Sequence, residues 1–128
     1  MRLLLDTHAF LWFVANDSQL STTARDLIRS GGNELWYSTA SLWEIAIKLN
    51  LGKLKLGGPF PDFIEQQLDG NRVQVLPITL AHLSVVSQLA LHHRDPFDRL
   101  IIAQAIAEDL PVISIDQKFD SYPVKRIW

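Results

Sequence analysis

Asp6, Glu44, Asp98 and Asp116 come from widely separated parts of the chain, and each stands beside or inside an apolar run where a charge needs a reason to be. Leu3-Leu4-Leu5 runs into Asp6, and Leu42-Trp43-Glu44-Ile45 encloses Glu44. Asp98 precedes Leu100-Ile101-Ile102-Ala103, while Asp116 follows Pro111-Val112-Ile113-Ser114-Ile115. Local rules account for each acid singly. Asp6 and Asp116, at strand ends, read as helix N-caps that accept from free backbone amides. Glu44 reads as the partner of Lys48 at i,i+4. Asp95 reads as an N-cap with Pro96 in the first helical position, and the helix dipole favours Asp98 in the same turn. These rules do not explain why several segments deliver an acid to the same edge of one sheet. Carboxylates gathered from separate segments are the donor set that hard divalent cations take.

That shared edge follows from the elements. Arg2 to Leu5 reads as a strand, and Ala9 to Val14 as the helix after it. Leu20 to Ser30 has helical spacing, with Ser21 or Thr22 as cap and Gly31-Gly32 as the stop. Leu35-Trp36-Tyr37 is a strand, Ser38-Thr39 offers a hydroxyl cap, and a helix covers Ser41 to Leu51 before Gly52. Lys53 to Pro61 is a connection, followed by a short helix over Asp62 to Leu68 and a strand over Val73 to Leu76. Thr79 caps a helix through Leu91, Asp95-Pro96 restarts one, Pro111 to Ile115 is a buried strand, and Val124 to Ile127 is an edge strand. Such alternation predicts an α/β fold with a central, mostly parallel β-sheet flanked by α-helices. In open parallel sheets the ligand crevice lies beyond the carboxyl ends of the strands, which is where Asp6 and Asp116 fall.

Composition narrows the class. With 128 residues, 48% of them hydrophobic and 20% charged, a single domain over residues 1–128 with a sizeable core is expected. The absence of cysteine excludes disulfides, thiolate ligands and a cysteine nucleophile, and is compatible with a reducing compartment. Asp6 and His8 interrupt the apolar start, so no signal peptide is read, and no run is long enough to span a membrane. A cytoplasmic location is expected. A net charge of −2 supplies no global field for holding a polyanion, so any phosphate binding has to be local or metal-mediated. His8, His82, His92 and His93 lack an H-x-x-x-H spacing, so zinc fits poorly and each reads as a surface or cap residue. Arg94, Arg99, Lys48 and Lys53 are the candidates for phosphate contact, against a reading of each as solvated surface charge, which the sequence favours.

Four pieces of this chain, in this order, resemble the PIN-domain family and, within it, the VapC-like toxin ribonucleases. They are Leu3-Leu4-Leu5-Asp6-Thr7, then Ser41-Leu42-Trp43-Glu44-Ile45, then Asp95-Pro96-Phe97-Asp98-Arg99-Leu100-Ile101-Ile102-Ala103-Gln104-Ala105, and finally Ser114-Ile115-Asp116 with Phe119. The resemblance covers the whole chain. It implies a PIN-like fold, with Asp6, Glu44, Asp98 and Asp116 as the catalytic, metal-holding acids. It also implies Mg²⁺ as cofactor, with Mn²⁺ as substitute. Thr7, Asp95, Ser114 and Arg99 would be accessory or substrate-positioning residues, and Asp120 solvated surface. The activity implied is metal-dependent endoribonuclease cleavage of RNA phosphodiester bonds. The implied partners are a second copy of the chain, in a homodimer, and a small cognate antitoxin protein of a type II toxin-antitoxin pair.

Other classes fit less well. A phosphotransfer receiver would need an adjacent acid pair after the first strand and a late lysine, and a haloacid-type phosphatase would need an Asp at position 8, where His8 stands. The alternative that remains is a catalytically inert PIN-like module that only binds another protein. The aromatic content makes an exposed aromatic patch plausible, with Trp12, Trp43 and Trp128 as its candidates.

Overall fold

The computed structural model describes all residues, 1–128. Five strands form one sheet: β1 (Arg2–Leu5), β2 (Glu34–Ser38), β3 (Val73–Leu76), β4 (Val112–Ile113) and β5 (Arg126–Ile127). Their order is β3-β2-β1-β4-β5, and every neighbouring pair is parallel. Parallel strands need crossovers, and helices supply them: α1 (Thr7–Val14), α2 (Thr22–Arg29), α3 (Thr39–Asn50), α4 (Phe60–Gly70), α5 (Leu80–Gln88) and α6 (Pro96–Glu108). The chain moves outward from β1 to β2 and β3, then returns to the other side of β1 for β4 and β5. The order reverses between β1 and β4, and that is where the crevice of a doubly wound sheet opens.

Strand periodicity sorts the core into two layers. Leu3 and Leu5 of β1 face a cluster with Phe10, Ala24, Ile28, Tyr37, Ile45, Ile64 and Leu68, which buries α1, α2, α4 and one side of α3. Leu4 faces the opposite cluster, with Ile101, Ile102, Ala105, Val112, Phe119 and Tyr122, and α5 packs on the outside of α6. A run of three leucines is therefore buried on both faces, as a central parallel strand requires.

Several boundaries differ from the sequence expectation, each for a local reason. Helix α1 begins at Thr7 because Asp6 caps it, accepting from the backbone N–H of Ala9 at 2.8 Å. Helix α4 begins at Phe60, with Pro61 in its first turn, where the missing N–H costs nothing. Strand β4 is only Val112–Ile113, since Ser114 Oγ accepts from the Asp116 N–H at 3.0 Å and turns the chain into an unexpected 3-10 helix over Gln117–Ser121. Helix α5 stops at Gln88 instead of continuing to Leu91. Arg99 draws the carbonyls of Leu89, Ala90 and His93 to its guanidinium at 3.0–3.1 Å, holding residues 89–93 out of the helix.

Candidate metal centre

Register alone brings the site together. Leu5 is level with Tyr37 on one side and Ile113 on the other, so Asp6, Ser38 and Ser114 are the next residues of three adjacent strands. Asp6 stays tied to β4 through its N–H to the Ile113 carbonyl at 3.1 Å. Asp116 follows two residues after Ser114 and caps the 3-10 helix, its Oδ1 accepting from the Lys118 N–H at 2.9 Å. Asp95 caps α6 from outside, its Oδ1 accepting from the N–H groups of Phe97 and Asp98 at 2.9 and 3.0 Å, and this points the first turn, with Asp98, into the crevice. Glu44 arrives from α3 and is buried, although its Oε2 still meets Lys48 Nζ at 2.7 Å.

The cap roles read from sequence are therefore real, and the capping carboxylate of Asp116 meets Asp98 and His93 in one group of ligand atoms, while Asp6 and Glu44 stand outside that group. Burial raises the Asp98 carboxyl pKa to about 8, helped by the charges of Asp95, Asp6, Glu44 and Asp116. Asp6 is raised by burial and by Asp116, against the lowering effects of Ser114, the Ala9 N–H and His8. Behind them Tyr37 is fully buried and its hydroxyl is pushed well up, first by burial and then by Asp6 and Glu44; it donates to the Thr7 carbonyl at 3.0 Å.

Neutral groups hold these acids in place. Thr7 Oγ1 lies 2.9 Å from both Glu44 Oε1 and Ser41 Oγ, so it can donate to the carboxylate while accepting from the serine. Ser114 stands beside Asp6, whose carboxyl it lowers, and its Oγ accepts from the Asp116 backbone N–H, so one hydroxyl neighbours two of the acids. Arg99 turns its NH1 and NH2 groups to the carbonyls of residues 89–93, so it clamps a loop of this site and those donors do not face a phosphate. Asp120 is exposed and paired with Arg126 at 2.9 and 3.0 Å, which lowers its pKa.

The histidine expectation needs one correction. His8 and His92 are exposed, and His82, although buried, forms the capping box of α5 with Thr79. His93 is different: it is buried, with Nε2 2.7 Å from Asp116 Oδ2 and 3.1 Å from Asp98 Oδ2. Its Nδ1 accepts the Asp95 N–H at 3.2 Å, so the ring proton sits on Nε2, between the two carboxylates. Sequence reasoning missed this residue because the loop that carries it is shaped from elsewhere. The Tyr122 hydroxyl accepts the N–H groups of His92 and His93 and donates to the Ala90 carbonyl. The only local signal was its place two residues ahead of the Asp95 cap.

The donor set suits a divalent cation. Ligand atoms of His93, Asp98 and Asp116 lie within 4.8 Å of one another, and the Asp98 carboxyl is raised by burial and by the like charges around it. With the His93 proton on Nε2, the atoms free to meet a cation are carboxylate oxygens, which favours a hard ion.

A parallel α/β sheet with buried acids converging at its switch point defines a class, and comparison with known proteins supplies the family. The family model for the PIN domain matches residues 3–125, so the chain belongs to the PIN-domain family. Ribonuclease VapC22 of Mycobacterium tuberculosis is 28% identical over 120 residues, covering 93% of this chain and 90% of that protein. The chain is similar in fold to a protein of the VapBC2 complex of Rickettsia felis, solved bound to a DNA fragment from its promoter, at TM-score 0.72 and 17% identity over 99% of this chain and 98% of that one. VapBC-1 from nontypeable Haemophilus influenzae gives TM-score 0.66 and 17% identity over 99% and 97% of the two chains. No helix of this chain is long and apolar enough to cross a membrane.

Proposed function

We propose that the chain, as a single nuclease domain over residues 1–128, is a divalent-metal-dependent endoribonuclease and the toxin of a type II toxin-antitoxin pair. The observation that carries the reading is the meeting of Asp98 and Asp116 with His93 inside 4.8 Å, with Asp6 and Glu44 near enough for their charges to add to the rise of the Asp98 carboxyl. An inert binding module would have no use for so costly a cluster. The relative named ribonuclease supports the activity, and the neighbours solved as VapBC complexes support a small protein partner.

Asp6, Glu44, Asp98 and Asp116 would hold the ion, Mg²⁺ or Mn²⁺ in its place. When bound, it supplies a Lewis acid that acidifies water and offsets charge on phosphoryl oxygens. The chain's own residues do the positioning. Thr7 orients Glu44, Ser114 fixes the backbone of Asp116, and the His93 Nε2–H holds Asp116 and Asp98 at a common point. Asp95 aims the first turn of α6 and adds negative charge behind Asp98. The overall reaction is attack of water on phosphorus, with the departing sugar oxygen taking a proton.

Leu80 and Leu91 are 83% and 81% exposed and Trp43 is 57% exposed, apolar surface of the kind that a second copy or an antitoxin covers. The aromatic residues form two places instead of one patch: Trp43 edge-on to Phe97, and Trp12 edge-on to Trp128. A cytoplasmic location follows from the RNA substrate. The test is to incubate cellular RNA with wild type or Asp98→Asn in Mg²⁺, Mn²⁺ or chelator and to sequence the new ends. New ends are expected with wild type and a divalent ion alone; wild type that makes none overturns the nuclease reading. Expression by itself should arrest growth, and a small co-expressed partner should restore it. Harmless expression of a chain that still cleaves RNA would remove the toxin role only.

A further inference from the structure

A cluster of carboxylates repels the polyanion it is read to cut, so the grip on RNA has to come from cations beside it. Two of the three arginines near that edge are committed elsewhere, and the third, Arg94, is a single exposed cation on the loop that carries His93. Arg99 turns its donors to loop carbonyls, and Arg126 is shared between Asp120 and the Ser114 carbonyl. The chain has five lysines, and three of them, Lys48, Lys53 and Lys55, line one cavity of about 350 Å³ between α1 and the loop after α3. In a chain of net charge −2 that is a pronounced local concentration of positive charge. Asp17 is the one carboxylate in the lining, and its Oδ1 accepts the Gln19 N–H at 2.9 Å.

The facing wall is aromatic. His8 and Trp12 sit one turn apart on α1, their ring centres 5.6 Å apart and their planes tilted by 45°. The cavity adjoins the acids at two points. Lys48, in its lining, touches Glu44 Oε2 at 2.7 Å, and His8 follows Thr7 and influences the Asp6 carboxyl. Ring faces beside ammonium groups are how single-stranded nucleic acid is held without sequence readout, by stacking of a base while cations track the backbone.

We propose that this cavity is a nucleotide subsite, taking the base and phosphate of an RNA residue next to the bond to be cut. The base lies against Trp12 and His8, and the phosphate is met by Lys53 and Lys55. Lys48 stands between subsite and acids. The inference rests on the ribonuclease reading for the occupant being RNA. The rival occupant is an acidic segment of a partner protein, which would use the lysines and have less need of the rings.

The probe is a fluorescein-labelled, random-sequence pool of RNA twelve nucleotides long, with binding read by anisotropy over a series of salt concentrations. Removing both ammonium groups in a Lys53→Ala/Lys55→Ala variant should weaken binding about tenfold and make the log-log salt slope shallower by about 0.7, since single strands lose roughly 0.7 per phosphate neutralised and the two lysines share one phosphate. Trp12→Leu should weaken binding about fivefold or more and Trp12→Phe much less, because a phenyl ring still stacks. Lys125→Ala, outside the cavity, is the surface control and should bind as wild type does. Thermal melts check that every variant is folded. An oligoglutamate of the same length should bind at least ten times more weakly than the RNA.

Equal binding of the two probes, or loss of oligoglutamate binding alone in the lysine variant, would assign the cavity to a protein segment and overturn the proposal. Wild type that fails to bind the pool at low salt, or variants that match wild type in affinity and slope, would also overturn it. The cleavage experiment separates the two readings. New RNA ends with unchanged pool affinity in the variants would sink the subsite and leave the nuclease. Binding that depends on the lysines and Trp12, in a chain that cuts nothing, would support the subsite and sink the nuclease.

Discussion

Replacing Asp98 by Asn separates a metal-holding acid from a helix-capping one without needing the substrate. Asn keeps the shape, and its side-chain oxygen can still accept from the His93 Nε2–H, which now lies 3.1 Å from Asp98 Oδ2. What it removes is the charge. The Asp98 pKa rises from 3.8 to about 8 on folding, so between those values the folded chain holds a proton that the unfolded chain releases. Wild-type stability therefore falls as pH rises through this window, and the penalty is complete above the folded value. A shift of that size would correspond to about 6 kcal/mol at ~1.4 kcal/mol per unit. The side chain is 24% exposed, and water at such a position screens much of this, leaving about 2–3 kcal/mol.

Against that gain stands the lost dipole interaction in the first turn of α6, worth about 0.3–1 kcal/mol. The net is about 1–2 kcal/mol in favour of the variant at alkaline pH, or roughly 4–10 °C in Tm for a domain of this size. Calorimetric melts in chelator at pH 5, 7 and 9 should show the variant's advantage growing with pH. Added Mn²⁺ at about a hundred times Kd should then stabilise wild type by about 2.7 kcal/mol and leave the variant nearly unmoved. A variant that melts below wild type at pH 9, beside a wild type indifferent to Mn²⁺, would refute the reasoning and leave Asp98 as a capping residue.

Asp6→Asn, Glu44→Gln and Asp116→Asn should each nearly abolish Mg²⁺-dependent RNA cleavage while circular dichroism shows the fold intact; Asp120→Asn, at an exposed pair with Arg126, should cleave as wild type does. His93→Ala should weaken Mn²⁺ binding by about 10–100-fold in a calorimetric titration, as loss of a group that orients metal-holding carboxylates does, and His93→Gln should restore part of it by returning an N–H donor. Equal Mn²⁺ affinity in the alanine variant would remove His93 from the site. Arg99→Lys keeps the charge but loses the fork that meets the carbonyls of residues 89–93. It should cost about 1–2 kcal/mol in urea unfolding and speed amide exchange at His92 and His93. Unchanged exchange there would show that Tyr122 alone holds the loop.

Much of this protein is determined by short-range rules that act within a few residues. The leucines of β1 need cover on both faces, so a run of three implies a central strand. Asp6, Ser38 and Asp95 accept from amides two or three residues ahead, so each helix start is encoded beside its strand or loop. Because all the strands run parallel, their carboxyl ends share one edge, and Asp6 and Asp116 were bound to meet there once the alternation of elements was read. Glu44 and Asp98 belong to helices whose approach to that edge depends on packing, and for them the family resemblance carried what periodicity could not.

Tertiary structure decided the rest, where a group's role depends on partners far away in the chain. His93 reads locally as one of two loop histidines. It enters the acid cluster because Tyr122, 29 residues later, holds its backbone and Arg99 clamps its carbonyl. Arg99 reads as a free cation beside an acid, and only the early end of α5, with its unpaired carbonyls, gives the guanidinium something nearer than phosphate to bind. Lys53 is a candidate for phosphate from its charge alone, and the cavity that joins it to Lys55 exists only because α1 brings His8 and Trp12 across from them. The physical reason is common to these cases: a cap or a strand face is satisfied by its neighbours in sequence, while a buried histidine, a clamped loop and a basic cavity are satisfied only by segments that meet after the chain has folded.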